Sequence, residues 1–397
     1  MKARTLGGVT LALLASIGAA LWFLPGYVER DQGGVTSHSP YPISARAAAM
    51  HKQLFIADLH ADALLWQRSL LERANRGQVD VPRLLAGGVR LQVFSAVTRS
   101  PHNLNYVRND PGSDDLVSLA MVQLQPPRTW FSPFERARYQ AAKLASVDAA
   151  STALTIIRNR ADLERVLAHQ AAGQQEVAAL LALEGLHALE GSLSNLATLW
   201  ADGYRMAGLQ HFFDNDLGGS LHGVDKHGLT AFGRRTVDAM RKRGMIIDLA
   251  HSSEAVVRDT LALTAQARPQ DWPAVALLVS HSGFKGACNT PRNISDALMQ
   301  SIAARGGLIG VGFWQEAICD PTPAGIARSI RYGIALVGED HVALGSDFDG
   351  TVITTFDASE YVALTQALLT AGLRDAQIVK VMGGNVRRFM TEHLPPR

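Results

Sequence analysis

The sequence predicts an α/β fold, a (β/α)8 barrel preceded by an N-terminal membrane helix. Three observations carry that prediction. Short β-rich apolar runs recur eight times, at Leu54–His60, Val89–Val97, Val177–Glu184, Tyr204–His211, Met245–His251, Val275–His281, Gly307–Phe313 and His341–Asp347, with helical patterns between them. Most of these runs are continuous rather than alternating, as parallel strands covered on both faces require. Six of the eight end in a residue able to bind a metal or move a proton: His60 (with Asp62 close behind), Glu184, His211, His251, His281 and Asp347. In a parallel barrel those ends share one rim, which is the catalytic face. An open doubly wound sheet would need a Gly-rich phosphate turn after its first strand, and none stands there.

The chain opens on Lys2 and Arg4, followed by an uncharged, mostly apolar run from Thr5 to Val28. A helix of that length, at about 1.5 Å per residue, exceeds a hydrocarbon core of about 30 Å. Residues 1–28 therefore read as a signal anchor or transmembrane segment, with a cleaved signal peptide as the alternative. The basic flank stays on the cytoplasmic side. The remainder is then extracytoplasmic, periplasmic or extracellular, either anchored or, after cleavage, secreted. Residues 29–44, rich in Gly, Ser and Pro, read as a tether, and residues 45–397 as the barrel domain, entered through a short helix at Ala45–Gln53. Polar residues that can cap first turns precede several helices: Ser253 before Glu254–Thr264, Ser295 before Asp296–Ala304, and Asp375 before Ala376–Met390. The stretch Arg99–Phe134, long and rich in Pro, Asn and Asp, lies above the rim end of the second strand, where lids and interfaces are found.

Composition narrows the chemistry. Of 397 residues 47% are hydrophobic, enough to bury a large core. Lys and Arg number 38 against 36 Asp and Glu, with no block of like charge, so no nucleic-acid partner is expected. Cys288 and Cys319 are the two cysteines, too few for thiolate zinc fingers or iron–sulfur clusters, so a metal must be held by His and carboxylates. His60 and Asp62 are two apart, and an extended backbone points both to one face, where they can grip one cation. With Glu184, His251 and His281 they make a nitrogen and oxygen donor set that suits Zn²⁺, with Mn²⁺, Co²⁺ or Fe²⁺ as alternatives. These five ligands exceed the need of one catalytic zinc, so two ions sharing Glu184 is the economical reading. Asp347 then remains as general acid or base.

The segments Asp58-Leu-His-Ala-Asp62, Ala182-Leu-Glu-Gly185, Asp248-Leu-Ala-His-Ser-Ser253, Ser280-His-Ser-Gly283 and Gly345-Ser-Asp-Phe-Asp-Gly350 resemble the metal motifs of the membrane dipeptidase (renal dipeptidase) family, peptidase family M19. Val79–Val89, Gly228–Arg235 and Pro291–Ile294 are similar too, and the resemblance runs in order from Leu54 to Met390. It implies a barrel of the metal-dependent hydrolase type with two Zn²⁺ per subunit. His60 and Asp62 would bind one ion, His251 and His281 the other, and Glu184 would bridge them, with a hydroxide between the ions as nucleophile. The resemblance further implies that His211 binds substrate and steadies the oxyanion, that Arg292 holds the substrate's free carboxylate, and that Asp347 handles the proton on the nucleophile and the leaving amine. The substrates it implies are dipeptides, including those with a C-terminal D-residue. Cys288 and Cys319 resemble a family pair that forms a disulfide. One departure concerns the family's tyrosine after strand seven, absent from Gly312-Phe-Trp-Gln-Glu-Ala317, which leaves Trp314 or Glu316 to line that position.

Two other readings stay open at this point: another binuclear-metal amide or lactone hydrolase on the same barrel, since fold does not fix substrate, and a tethered peptide-binding protein without turnover. Whether copies pair as a homodimer is also open. His222 and His227 read as solvated loop histidines, and Asp58 as a residue facing the site that orients a ligand imidazole.

Overall fold

The computed structural model describes residues 23–265 and 275–396. Eight parallel strands close into a barrel: β1 Ile56–Ala61, β2 Val89–Val97, β3 Val177–Glu184, β4 Met206–Gly208, β5 Ile246–Asp248, β6 Leu277–Ser282, β7 Leu308–Val311 and β8 Val342–Leu344. Each overlaps one of the predicted runs. The ring closes where β2 pairs with β3 from Leu91↔Ala178 to Val97↔Glu184, and where β8 pairs with β1 at Leu344↔Asp58. A ninth short strand, Leu154–Ile156, adds to the N-terminal half of β3 outside the ring.

Alternate residues of every strand, such as Ala57 and Leu59 on β1 and Ala178, Leu180 and Ala182 on β3, fill the barrel interior as one apolar cluster. Val386, Phe389 and Met390 from the C-terminal helix Asn385–His393, with Leu394 just after it, close its lower end. The opposite residues, such as Val177, Ala179 and Leu181, pack outward against the helices. Both faces are thus dry, which is why the strand sequences show no polar alternation.

Helix capping follows the sequence in part. Ser44 Oγ accepts from the Ala47 N–H to start the helix Ala45–His51, and Ser253 Oγ accepts from Val256 N–H at 3.1 Å. The long helix expected over Ala376–Met390 is instead broken into Asp375–Val379 and Asn385–His393 by a wider turn at Lys380–Gly384. Gly383 causes the break: a Cβ there would lie 2.1 Å from the Phe55 carbonyl oxygen, so the helix bends to pass the start of β1.

The N-terminal region differs from expectation. Most of the membrane segment predicted over Thr5–Val28 lies outside the described residues. Its last part, residues 23–28, belongs to a helix over residues 23–32 that is laid against the barrel. Val28 packs on Leu65, Trp66, Val97 and Leu116, and Glu29 is buried between Arg68 and Arg76, 2.6 Å from each. Among the described residues no helix is long and apolar enough to cross a membrane. Residues 29–44, expected to be a free tether, are also docked at their start: Gly34–Val35 pairs in parallel with Ile353–Thr354, just beyond β8. A composition of Gly, Ser and Pro gives no sign of so short a pairing.

The loop 99–134 is ordered by a buried arginine. Arg136 donates to Thr129 O and Thr98 O, both at 2.8 Å, and to Asp114 Oδ2 at 2.6 Å. Within the loop Trp130 turns inward to donate to Gln125 O, whereas Phe131 is 74% exposed.

Candidate metal centre and substrate pocket

The rim ends of the strands bring the predicted ligands together. His60 Nε2 lies 3.4 Å from Asp62 Oδ1 and 3.6 Å from Glu184 Oε1. His251 Nε2 and His281 Nε2 lie 3.1 and 3.4 Å from that same Oε1, and 2.9 Å from each other. Ligand atoms fall into three compact triplets: His60, Asp62 and Glu184; Glu184, His251 and His281; and His60, His281 and Asp347. The first two share Glu184. The third brings Asp347 closer to the cluster than a distant proton carrier need be, with Oδ1 3.8 Å from His60 Nε2.

Irregular backbone aims these side chains. By plain alternation His60 would share the outward face of Ile56, and His281 that of Val279. The strand register shifts between Asp58 and Ala61 and between Val279 and Ser282, and such bulges turn a side chain across the sheet. Asp62 is beyond the strand, at φ −101° and ψ 27°, so it meets His60 through the turn rather than by the two-residue alternation expected. His251 and Asp347 both sit at φ 62°, a left-handed conformation that costs on the order of 1–3 kcal/mol in a residue with a side chain. Gly350 completes the arrangement. A Cβ there would be 2.2 Å from Asp347 Oδ1 and 2.7 Å from Asp62 Oδ2, so only glycine lets both carboxylates enter.

The donor chemistry fits cations. His281 Nδ1 is 2.7 Å from Ser280 Oγ, which itself donates to Asp248 Oδ2 at 2.5 Å. The imidazole proton is therefore on Nδ1, and the Nε2 lone pair faces the cluster. His60 Nε2 and Asp62 Oδ1 are buried with no hydrogen-bond partner among the described residues. Lone pairs and carboxylates converging in a buried site suit divalent ions held by nitrogen and oxygen, with Arg292 Nη2 at the margin of the cluster, 3.5 Å from His251 Nε2.

Titration follows from that crowding. Burial pulls His60 down, but Asp62, Glu184 and Asp347 outweigh it and raise its pKa to about 10. Burial and the Asp62 charge push Glu184 well up, and burial raises Asp347 to about 8. Burial lowers His251 and His281. Without a cation, the carboxylates thus keep protons in the folded chain that the unfolded chain has released, a stabilisation lost as pH rises through about 8. The depressed histidines act only below their unfolded value of about 6.5. Chelator-treated protein should therefore melt at a progressively lower temperature between about pH 6.5 and 8, and added Zn²⁺ should raise the melting temperature more at the upper end. Thermal melts with and without metal across that window check this; a gap that does not widen would refute it.

The cluster floors a cavity of about 410 Å³, the size of a small-molecule site. Arg292, 1% exposed, donates from Nη2 to His281 O at 2.6 Å, stands 5.3 Å from the Trp314 ring and keeps Nε unpaired among the described residues. Cys288 and Cys319 form a disulfide that closes the segment holding both Arg292 and Trp314. With a sequence separation of 31, that closure contributes roughly 3–4 kcal/mol by loop entropy.

His211 reaches the site and lines the cavity. Its Nδ1 donates to Arg99 O at 3.2 Å, and its Nε2 stands 3.5 Å from Glu184 Oε2. Burial lowers its pKa to about 4, so the ring is neutral and Nε2 carries a lone pair rather than a proton. Asp58 acts otherwise than expected. It accepts from Ser346 N and Oγ, from Tyr361 Oη and from His60 N, tying β1 to β8 rather than orienting an imidazole. His222 is buried, not solvated, and donates from Nδ1 to Tyr106 O. Tyr106 itself, from the loop after β2, lines the cavity and carried no signal in the sequence.

The family model described as membrane dipeptidase (peptidase family M19) matches residues 44–394. The dipeptidase aclJ of Aspergillus oryzae is 30% identical over 362 residues, covering 85% of this chain and 78% of that protein. An uncharacterized dipeptidase of Schizosaccharomyces pombe, C965.12, is 27% identical over 368 residues, covering 89% and 79%. Among solved structures, the probable dipeptidase PvdM from Pseudomonas aeruginosa matches with a TM-score of 0.70 at 21% identity, over 87% of this chain and 97% of that one. A metallo peptidase from Rhodobacter sphaeroides, liganded with a phosphinate mimic of the dipeptide L-Ala-D-Ala, matches at 0.67 and 22%, over 86% and 99%. At such identities the solved structures speak to the fold alone.

Proposed function

This chain belongs to the membrane dipeptidase family, peptidase family M19, and from that premise we propose that it hydrolyses free dipeptides, those with a C-terminal D-residue included, with two zinc ions held at the barrel rim. It is a hydrolase of the metallopeptidase class. The observation that carries the finer reading is one cavity with the ligand triplets at its floor and a buried guanidinium in its wall. His60 and Asp62 would hold one ion, His251 and His281 the other, with Glu184 shared. When bound, such ions supply Lewis acidity toward a carbonyl oxygen and bring the pKa of water near neutrality.

The chain's own groups do the rest. Arg292 presents a planar fork of donors to the substrate's carboxylate, which sets the scissile amide one residue away. Asp347 takes the proton of the attacking water on Oδ1 and returns it to the leaving amine. His211 Nε2 accepts a hydrogen bond from the amine side of the substrate. The walls keep bulk water out, so each of these contacts acts in a low dielectric. Acceptance of a D-residue is carried over from the family resemblance of the motifs around His60, Glu184, His251, His281 and Asp347.

The same reading puts the barrel outside the cytoplasm. The basic start with its apolar run, and a disulfide that suits an oxidising compartment, support it. Metal analysis coupled to a substrate panel tests the whole. Two zinc equivalents per chain with turnover of L,L and L,D dipeptides is the expected result. Turnover of N-acyl amino acids or lactones with dipeptides untouched would overturn it.

A further inference from the structure

We propose that Tyr106 is a substrate-binding residue: its hydroxyl donates to the carboxylate that Arg292 clamps, and Trp314 holds it in position to do so. The inference rests on the dipeptidase reading of the pocket.

Trp314 Nε1 donates to Tyr106 Oη at 2.9 Å. An indole N–H can only donate, so the phenol oxygen is the acceptor and its own hydrogen is left for a second bond. Among the described residues no acceptor lies within hydrogen-bonding distance of it. That hydrogen is free to be donated to a bound anion. The hydroxyl belongs to the wall of the cavity that also contains Arg292, Glu316 and Asp347. The one indole serves both sides of the site: its nitrogen meets the phenol, and its ring lies 5.3 Å from the Arg292 guanidinium. Phenol and guanidinium are thus gathered around a single aromatic plate. Burial, reinforced by Asp347, raises the phenol's pKa, so it stays a donor throughout the working range.

The residue is also held firmly, which a binding group needs. Its ring packs against Phe212 at 5.4 Å and edge-on to His222 at 5.5 Å. His222 Nδ1 donates to the Tyr106 carbonyl at 2.9 Å, and Asn109 N–H returns a bond to His222 O at 2.8 Å. Lys226 Nζ donates to Val107 O at 3.0 Å. The loop after β2 is therefore stitched to the loop after β4 at Tyr106 and in the three residues that follow it. Glu316 in the same wall repels an incoming carboxylate, so a second donor beside Arg292 has a clear electrostatic use.

The test compares Tyr106→Phe and Trp314→Phe with the wild type on a free dipeptide and on its C-terminal amide, the latter assayed as a competitor where it is not turned over. A hydrogen bond to a charged group is worth about tenfold or more in binding. Tyr106→Phe should raise KM for the free dipeptide by about that factor, with kcat within about twofold and the amide's KM or Ki unchanged. Trp314→Phe should shift KM the same way by less. Equal effects on acid and amide, a loss confined to kcat, or no change in KM would each overturn the role of Tyr106. Wild-type protein inactive on every dipeptide would overturn the dipeptidase reading, and this inference with it; an active wild type beside an unaltered Tyr106→Phe overturns this inference alone.

Discussion

Glu184→Gln is expected to lower dipeptide turnover by about a thousandfold or more and to remove at least one metal equivalent per chain. Glu184 Oε1 is the point on which three imidazole nitrogens converge, within 3.1 to 3.6 Å. An amide of the same shape cannot serve two cations. Its N–H groups would instead donate to the very lone pairs that metals require. The substitution keeps the volume of the last residue of β3, so the barrel interior is undisturbed. Removing a buried acid whose proton is held unusually tightly should leave metal-free protein at least as stable near neutral pH. Metal content by mass spectrometry and kcat/KM for one dipeptide are the paired readouts. A variant with full metal and wild-type rate would end the shared-ligand reading.

Arg292→Ala should raise KM for free dipeptides by about a hundredfold, since losing one side of a desolvated charge pair costs about 2–5 kcal/mol. C-terminally amidated dipeptides, which bring no carboxylate, should be bound much as before. Arg292→Lys should fall between the two, because an ammonium keeps the charge but loses the planar fork and the bond from Nη2 to His281 O. Michaelis constants for acid and amide pairs decide it. Equal losses on both substrates would mean that Arg292 only braces the His281 backbone.

Much of this was legible in the chain because parallel strands covered on both faces must be continuous apolar runs, and a polar residue closing such a run has to emerge at the rim. Glu184 after Val-Ala-Ala-Leu-Leu-Ala-Leu is the clearest instance. What escaped depended on contacts between distant segments or on local irregularity. The bulges that aim His60 and His281 leave no residue signature. The proton on His211 is fixed by the Arg99 carbonyl, a partner 112 residues away in the chain. Tyr106 sits in a stretch with no period, and only its distance from Trp314 Nε1 singles it out. Glu29 resembled a charge at the end of an apolar leader until Arg68 and Arg76 closed around it.

That last contact has a mechanical side. Arg68 grips Glu29 through Nε and Asp349 through Nη2, and Asp349 stands two residues after Asp347. Gly34–Val35 splints Ile353–Thr354, and Thr36 lines the pocket beside them. The segment around Glu29 and Gly34 therefore braces the turn that carries Asp347. A barrel trimmed to the family-matched region, from residue 44 onward, would retain every candidate ligand and lose the brace and Thr36 from the pocket lining.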